Sequence, residues 1–162
     1  MLTHERLREV LRYDPETGVF TWLVKPRKRE LKNAEAGCIN AKGYRQIGVD
    51  GKLYRSNRLA WFYVTGTWPT AQIDHENQVR ADDRFANLRE ATHSQNQANS
   101  KVRKASRTGV KGVEQLPGGR FRAYIHIGND KKHLGTFPTT EEAGRVFAEA
   151  HQKLHGEFSP KA

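Results

Sequence analysis

The chain has 162 residues, a formal net charge of +10 and one cysteine. This length allows one ordinary domain or two small ones, and a lone cysteine excludes both an internal disulfide framework and a cysteine-rich zinc site. No apolar run approaches the roughly 18 residues that a membrane span needs. The start, Met1–Arg6, lacks the apolar core of a secretion signal, so we expect a cytoplasmic protein that does not enter a membrane.

The positive charge is concentrated in one part of the chain. From Ser100 to Thr136 there are nine Lys and Arg residues against Glu114 and Asp130, so this stretch carries +7 of the total +10. A basic excess of this kind is typical of proteins that bind a polyanion, most often nucleic acid. We therefore expect this stretch to bind the polyanion.

In the first hundred residues, apolar spacing and turn residues predict short elements. They are a helix over Leu2–Leu11, strands over Val19–Trp22, Tyr44–Val49 and Lys52–Arg55, a helix that Ser56 caps and that runs through Thr65, a strand over Gln72–His75 and a helix from His93 to about Lys101. Asp50-Gly51 is a hairpin signal between two of the strands. Gly66 is placed to end the second helix.

A basic linker over residues 101–108 is predicted to separate a first domain (1–100) from a second one (109–160). The second domain shows strand patterns over Val110–Gln115, Arg120–Ile127 and Lys132–Thr136, then a capping-box pattern at 139–142 that opens a helix ended by Gly156. Three strands and one helix can bury a single core between them.

Four polar residues in the first domain have the chemistry that phosphodiester cleavage with one metal ion requires. Asp74 and Asn96 offer hard oxygen ligands, suited to Mg or Mn. His75 follows Asp74 on an extended strand and therefore points to the other face, where it can act as a general base without being a ligand. The carbonyl group of Asn87 is a candidate to hold one ring nitrogen of His75 and to select its tautomer.

The residues around these positions resemble the HNH homing endonucleases of bacteriophages. The resemblance rests on Asp14–Trp22, Gly43-Tyr44, Arg58–Trp61, Trp68-Pro69, Ile73–Asn77, Asp83–Arg89 and Glu90–Asn99. It implies the one-metal ββα-metal fold, with Asp74 and Asn96 as metal ligands, His75 as the general base and Asn87 orienting the base. Two departures stand out: Asn57 where relatives often have His, and Asp82-Asp83 where they often have Asp-Asn. The second departure adds a carboxylate near the site.

The second domain resembles the AP2 DNA-binding domain of plant ethylene-response factors. The matching residues are Gly112-Val113, Gly119–Ala123, His133–Phe137, Glu141–Ala143, Ala150 and His155-Gly156. The resemblance implies a three-stranded sheet laid in the major groove of DNA. In this family His133 occupies a position that often holds an aromatic contact, and Glu114 stands where an arginine is usual.

Strand alternation assigns the two faces of this sheet independently of the resemblance. Phe121, Ala123, Ile125 and Ile127 are predicted to pack on the helix, whereas Arg120, Arg122, Tyr124 and His126 are predicted to face DNA. We expect Arg122 to read a base because it lies in the middle of its strand. Lys131 and Lys132, at a turn, are predicted to hold phosphates.

Together these observations predict an α+β protein: a ββα-metal HNH nuclease domain with an N-terminal β-hairpin extension, then a three-stranded antiparallel sheet packed on one helix. The predicted function is a homing-type DNA endonuclease that uses one Mg or Mn ion and binds double-stranded DNA without an obligate protein partner. Two alternatives remain open. One is a nuclease associated with phage genome packaging, working with a terminase, and the other is an AP2-type regulator whose nuclease half is inactive.

Overall fold

The computed structural model describes residues 1–24, 34–100, 102, 106–128 and 130–159. Part of the predicted linker (101 and 103–105) therefore lies outside the described residues. The chain divides into two compact units, Met1–Thr92 and His93–Ala162, called here the first and second units. Both mix helices with small antiparallel sheets, so the α+β class is confirmed. The division falls before the predicted domain boundary at residue 100, and those domain limits stay a prediction.

The first unit begins with helix α1 (His4–Val10), which continues directly into strand β1 (Leu11–Asp14). The Thr3 side chain accepts a hydrogen bond from the Arg6 amide and caps the helix. The predicted helix over Leu2–Leu11 is thus confirmed in its middle but too long at both ends. Leu11 and Tyr13 are buried and alternate with exposed residues, because β1 pairs with β2 (Val19–Trp22) in a hairpin.

A three-stranded sheet follows, in the order β3 (Cys38–Ile39), β4 (Arg45–Val49) and β5 (Lys52–Arg55). The predicted hairpin at Asp50-Gly51 is confirmed, and both turn residues have positive φ, as a tight two-residue turn requires. Strand β3 was not predicted, because two exposed residues carry no alternation to detect.

Helix α2 (Ser56–Thr65) is confirmed at its C-terminal end, where Gly66 ends it in the left-handed conformation. The predicted cap at Ser56 was wrong, because Ser56 is already helical and Arg55 is the N-terminal cap residue, without a side-chain hydrogen bond. Strand β6 (Gln72–His75) is also confirmed and pairs with β7 (Leu88–Ala91), which was not predicted. The hydrophobic core of the first unit lies between α1, the hairpin, the sheet and α2, with Leu7, Leu11, Phe20, Ile47 and Leu59 fully buried. This core holds β6 and β7 in place, because Ile73 and Leu88 belong to it.

The second unit consists of α3 (His93–Ala98), strands β8 (Val113–Gln115), β9 (Phe121–Ile127) and β10 (Asp130–Phe137), and α4 (Thr140–His155). The three strands form one antiparallel sheet with β9 in the centre. The capping box is confirmed, since the Thr139 hydroxyl accepts from the Glu142 amide. Helix α3 ends earlier than predicted; its C-terminal carbonyl groups at Gln97 and Ala98 accept hydrogen bonds from the Lys111 ammonium group.

The predicted helix-facing side of this sheet is confirmed at its centre. Ala123 and Ile125 are buried, and Phe121 packs against the core formed with Val113 and Ala143. The assignment of Ile127 was wrong: its side chain is 46% exposed, because it stands at the end of β9 beside the connecting turn. No helix among the described residues is long and apolar enough to cross a bilayer.

A buried histidine on α4 makes the stability of the second unit dependent on pH. The His151 side chain is 4% exposed, and its Nδ1 lies 2.8 Å from the Ser159 hydroxyl oxygen. Burial, with a contribution from the neighbouring His155 and Lys111, lowers the pKa of His151 to about 4. Burial also lowers the pKa of His155. Both rings therefore take up protons on unfolding at mildly acidic pH.

We expect the free energy of unfolding to fall as pH decreases from about 6.5 towards 4, because the unfolded state binds more protons in that range. The His151 shift alone corresponds to a loss of about 2 kcal/mol between pH 7.5 and pH 5. Urea unfolding followed by far-UV circular dichroism measures this loss. Tryptophan fluorescence is an internal control, since all three tryptophans lie in the first unit.

His151→Gln keeps a partner for Ser159 and removes the titrating ring, so its stability should vary less with pH than that of the wild type. Equal stability of the wild-type second unit at the two pH values would contradict the prediction.

Candidate functional site

Strands β6 and β7 place Asp74 and His75 in the interior of the first unit. Both side chains are 5% exposed. In the register of the strand pair, Asp74 lies opposite Arg89, and His75 lies opposite Leu88. Arg89 donates from Nε to Asp74 Oδ2 at 3.0 Å, so the carboxylate is held in a largely buried ion pair. This pair offsets part of the cost of burying the charge and orients the carboxylate.

The His75 ring contacts a carboxylate that comes from the loop between β6 and β7. Its Nε2 atom lies 2.9 Å from Asp83 Oδ1, and Asp83 is only 2% exposed. An ionised carboxylate can only accept a hydrogen bond, so opposite such a group the Nε2 atom is the donor. A buried carboxylate of this kind stabilises the ring as it takes up a proton.

The N-terminal hairpin holds Asp83 in position. The Tyr13 hydroxyl donates to the Asp83 carbonyl oxygen at 2.7 Å, and the Phe85 amide donates to the Pro15 carbonyl oxygen at 3.1 Å. Burial, with the nearby Asp83 carboxylate, raises the pKa of the Tyr13 phenol, which therefore remains a donor. Gly18 has positive φ, and a Cβ atom at this position would lie 2.4 Å from the backbone nitrogen of Arg84. This turn position therefore requires glycine if the hairpin is to approach the loop.

Asn87 stabilises the same loop through both ends of its amide group. Its Oδ1 atom accepts from the Asn77 amide at 3.0 Å, and its Nδ2 atom donates to the Asp82 carbonyl oxygen at 2.8 Å. The sequence predicted that Asn87 orients His75 through direct contact with its ring. These hydrogen bonds place the amide instead on the loop that carries Asp83, and the role of Asn87 in orienting the base stays a prediction.

The carboxylate of Asp82, which precedes the additional carboxylate at Asp83, is neutralised within the loop. Arg84 donates from Nε and Nη2 to its two oxygens at 2.7 and 2.6 Å, and Asn77 donates to it at 2.6 Å. The hydrogen bonds from Arg84 are the main cause that lowers the pKa of Asp82 to about 2. Asp82 therefore remains ionised and paired, which limits its repulsion of a phosphate.

Asn96, the other predicted metal ligand, lies on α3 in the second unit. Among the described residues, no three His, Cys, Asp or Glu side chains form a group that could hold a metal ion. The predicted ligands Asp74 and Asn96 are one carboxylate and one amide, so this assignment does not require a group of three such side chains. It stays a prediction.

The sheet of the second unit presents the predicted DNA-facing residues on the side opposite α4. Arg122 and Tyr124 are half-buried and His126 is exposed, while the intervening residues of β9 enter the core. Arg120 donates from Nη2 to the Thr136 carbonyl oxygen at 3.1 Å, which ties it to the adjacent strand. The strand register places His133 opposite Tyr124 and Lys131 opposite His126, hence on this same face.

Glu114 pairs with two of the cations on this face. Arg122 donates from Nε and Nη2 to Glu114 Oε1, and the Lys131 ammonium lies 3.3 Å from Oε2. The same ammonium lies 3.8 Å from the centre of the Tyr124 ring. The hydrogen bonds from Arg122 are the main cause that lowers the pKa of Glu114. A ligand that binds Arg122 must therefore compete with an ionised carboxylate.

Lys132 differs from its neighbour Lys131. The register places it opposite Ile125, on the face that packs against α4, although its side chain is exposed. Its predicted contact with a phosphate stays a prediction, and it provides a comparison with Lys131 on the same strand.

Sequence reasoning missed two functional contacts. Asp83 was noticed only as a departure from the family pattern, and its distance from His75 in sequence gave no sign that the two side chains touch. Glu114 was noticed as a replaced arginine, but its pairing with Arg122 follows only from the register of β8 and β9. In both cases the only signal in the sequence was a residue that departs from the family pattern.

Two comparisons with known proteins found a similarity. Residues 54–98 match the family described as HNH endonuclease, and this segment contains Asp74, His75, Asn87 and Asn96. Over 80 residues, or 48% of the chain, the protein is 40% identical to an ethylene-responsive transcription factor of Arabidopsis thaliana, of which the match covers 22%. No solved structure matches the chain. The chain is thus similar to HNH endonucleases over residues 54–98 and, over 80 residues, to a short part of an ethylene-responsive transcription factor.

Proposed function

We propose that the protein is a metal-dependent DNA endonuclease of the homing type, which nicks or cleaves duplex DNA after binding it through the AP2-like sheet. The observation that carries this proposal is the His75–Asp83 pair. A histidine buried on a strand of the HNH segment, with a carboxylate at 2.9 Å from its ring, has the arrangement of a general base.

In this proposal His75 removes a proton from the attacking water through Nδ1, while Asp83 accepts the hydrogen bond from Nε2 throughout. The carboxylate fixes the ring and stabilises the imidazolium that forms. Asn87 acts through the loop that carries Asp83. Because the ring and both loop residues are buried, the base keeps one orientation before DNA arrives.

The donor set fits a hard divalent cation. Asp74 supplies a buried, oriented carboxylate whose Oδ2 is already bonded to Arg89. Together with the amide of Asn96, it is the ligand set we propose for Mg or Mn within a ββα-metal arrangement. One or two protein ligands suffice for such an ion when phosphate oxygens and water complete its shell. When bound, the ion polarises the phosphate and stabilises the leaving oxygen.

The second half supplies affinity and target preference. The ethylene-responsive relative is named as a transcription factor. For the present chain we propose only that it shares the binding of duplex DNA. Arg120, Arg122, Tyr124, His126, Lys131 and His133 form the proposed groove-facing surface, and Lys132 is a further proposed phosphate contact. A β-sheet of this width fits the major groove.

The decisive experiment for the enzymatic proposal uses supercoiled plasmid and the full chain. We expect conversion to open-circular or linear DNA with Mg²⁺ or Mn²⁺, and complete loss of conversion when a chelator is added. Cleavage that persists in chelator would disprove a metal mechanism. Tight duplex binding without cleavage under any divalent metal would favour the alternative of a regulator with an inactive nuclease half.

A second prediction separates base reading from phosphate binding on the sheet. In chelator, Arg122→Ala should cost about 1–3 kcal/mol on a selected target duplex and much less on a random one, because a lost base contact matters only at the target. Lys131→Ala should weaken both duplexes alike and lower the slope of log K against log salt by about 1. Fluorescence anisotropy over a salt series measures both effects.

Lys132→Ala, on the same strand, tests whether a cation on the helix side also contacts phosphate. If Arg122→Ala weakened the selected and random duplexes equally, Arg122 would be a backbone contact and not a reader of bases.

A further inference from the structure

Beside the proposed general base lies a cluster of two arginines and one aromatic ring. Tyr44 is half-buried, and its ring centre lies 6.1 Å from that of His75. The guanidinium carbon of Arg55 lies 4.6 Å from the centre of the Tyr44 ring, and that of Arg80 lies 5.1 Å from it. Arg55 ends β5, whereas Arg80 belongs to the loop that follows β6, so distant segments bring the two cations together.

The segment that carries Tyr44 is held in a tight turn. Asn40 Oδ1 accepts from the amides of Lys42 and Tyr44, and the Asn40 amide donates to the Tyr44 carbonyl oxygen. Arg80 donates from Nη1 to the Lys42 carbonyl oxygen at 2.9 Å, which attaches it to the same turn. The ring and the guanidinium of Arg80 are therefore positioned by the backbone.

The charge of this cluster is uncompensated. Four other guanidinium groups of the first unit form ion pairs with carboxylates. These pairs are Arg6 with Asp50, Arg45 with Glu35, Arg84 with Asp82, and Arg89 with Asp74. Within the part of the chain that the structure describes, no carboxylate forms an ion pair with Arg55 or Arg80, and both side chains are exposed.

The contact with the ring also leaves the cations available. A guanidinium group that stacks on an aromatic ring through its flat face keeps N–H groups at its edge for an anion. In Arg80, Nη1 donates to the Lys42 carbonyl oxygen, and the group has further N–H donors. Such donors match two oxygens of a phosphate, which is why arginine is common in phosphate sites. Two like charges held against one ring are also relieved by an anion that bridges or adjoins them.

From this geometry we infer that Arg55 and Arg80, supported by Tyr44, bind the DNA backbone at a phosphate next to the one that is cut. The inference rests on the proposed nuclease function and adds to it a phosphate site in the first unit, separate from the sheet of the second unit. Arg55 and Arg80 are positioning residues: they place the strand against His75 and take no part in proton transfer.

The test combines protein variants with substrates in which single phosphates are replaced by uncharged methylphosphonates. Single-turnover cleavage is measured with the protein in saturating excess over the duplex, one replaced phosphate at a time on either side of the cut. For wild-type protein, one replacement should slow cleavage by about 10- to 100-fold, the usual effect of one charge-assisted hydrogen bond. Arg80→Gln and Arg55→Gln should each slow cleavage of unmodified DNA to a similar extent.

The two losses should not multiply. Arg80→Gln acting on the sensitive methylphosphonate substrate should be slowed by less than the product of the two separate effects, because the contact of Arg80 with that phosphate is already absent. Arg80→Lys keeps the charge and should recover part of the rate. Arg8→Gln is the matched control, since Arg8 also lies over an aromatic ring, that of Tyr63, and should cleave like the wild type.

Losses that multiply, or a wild-type protein indifferent to every flanking methylphosphonate, would overturn the inference. The experiment with methylphosphonate substrates uses only wild-type protein. It can therefore disprove the inference even if Arg55→Gln or Arg80→Gln is unstable. Failure of the proposed function is distinct, because the wild type would then leave unmodified duplex uncut under every divalent metal.

Discussion

His75→Ala is expected to slow DNA cleavage by at least about 100-fold, the lower range for the loss of a general base. The physical reason is that the imidazole, held by Asp83 at 2.9 Å, is the group proposed to take the proton of the attacking water. Duplex affinity should be nearly unchanged, since the stretch Ser100–Thr136 carries +7 of the net charge. Single-turnover cleavage and anisotropy, measured on the same preparation, separate the two quantities.

Asp83→Asn is the informative companion variant. The amide keeps the size of the side chain but cannot stabilise an imidazolium as a carboxylate does, so cleavage should fall. Near-normal nicking by His75→Ala would remove His75 from the mechanism. An Asp83→Asn enzyme that cleaves at the rate of the wild type would reduce Asp83 to a structural partner.

Asp74→Ala is expected to abolish cleavage at low Mg²⁺ or Mn²⁺, with partial recovery at high metal concentration because DNA phosphates supply further ligands. Asn96→Ala should behave in the same way if it is the other ligand. Calorimetric titration of Mn²⁺ into the protein gives a readout that does not depend on activity, and affinity should fall for both variants. Zn²⁺ should bind poorly, since the chain has one cysteine.

Removal of the Asp74 carboxylate also takes an acceptor from Arg89, so the variant is expected to be less stable as well. Asp74→Asn keeps an acceptor for Arg89 and separates the two effects. Asp50→Asn changes an exposed carboxylate paired with Arg6 and serves as the charge-matched control. Unaltered Mn²⁺ affinity in Asp74→Asn would contradict its role as a ligand.

Local patterns predicted most helices and strands correctly, because each was encoded within a few residues. Val19–Trp22, Lys52–Arg55 and Gln72–His75 were confirmed at their exact bounds, and the helix predicted to run through Thr65 ends there. The failures were short strands such as β3 and β7, and the change from helix to strand at Leu11. Two to four residues are too few to show a period, and only a pairing partner makes them strands.

By itself, the sequence determined the α+β class, the basic second half, the two faces of the β9 strand and the motif that contains Asp74 and His75. These properties depend on residue type and on spacing along the chain. Only the tertiary structure decided what those side chains touch: Asp83 on His75, Glu114 on Arg122, and Arg55 with Arg80 on the Tyr44 ring. Contacts of this kind join residues from different strands and loops, so they depend on strand register and loop path, which no local pattern of residues specifies.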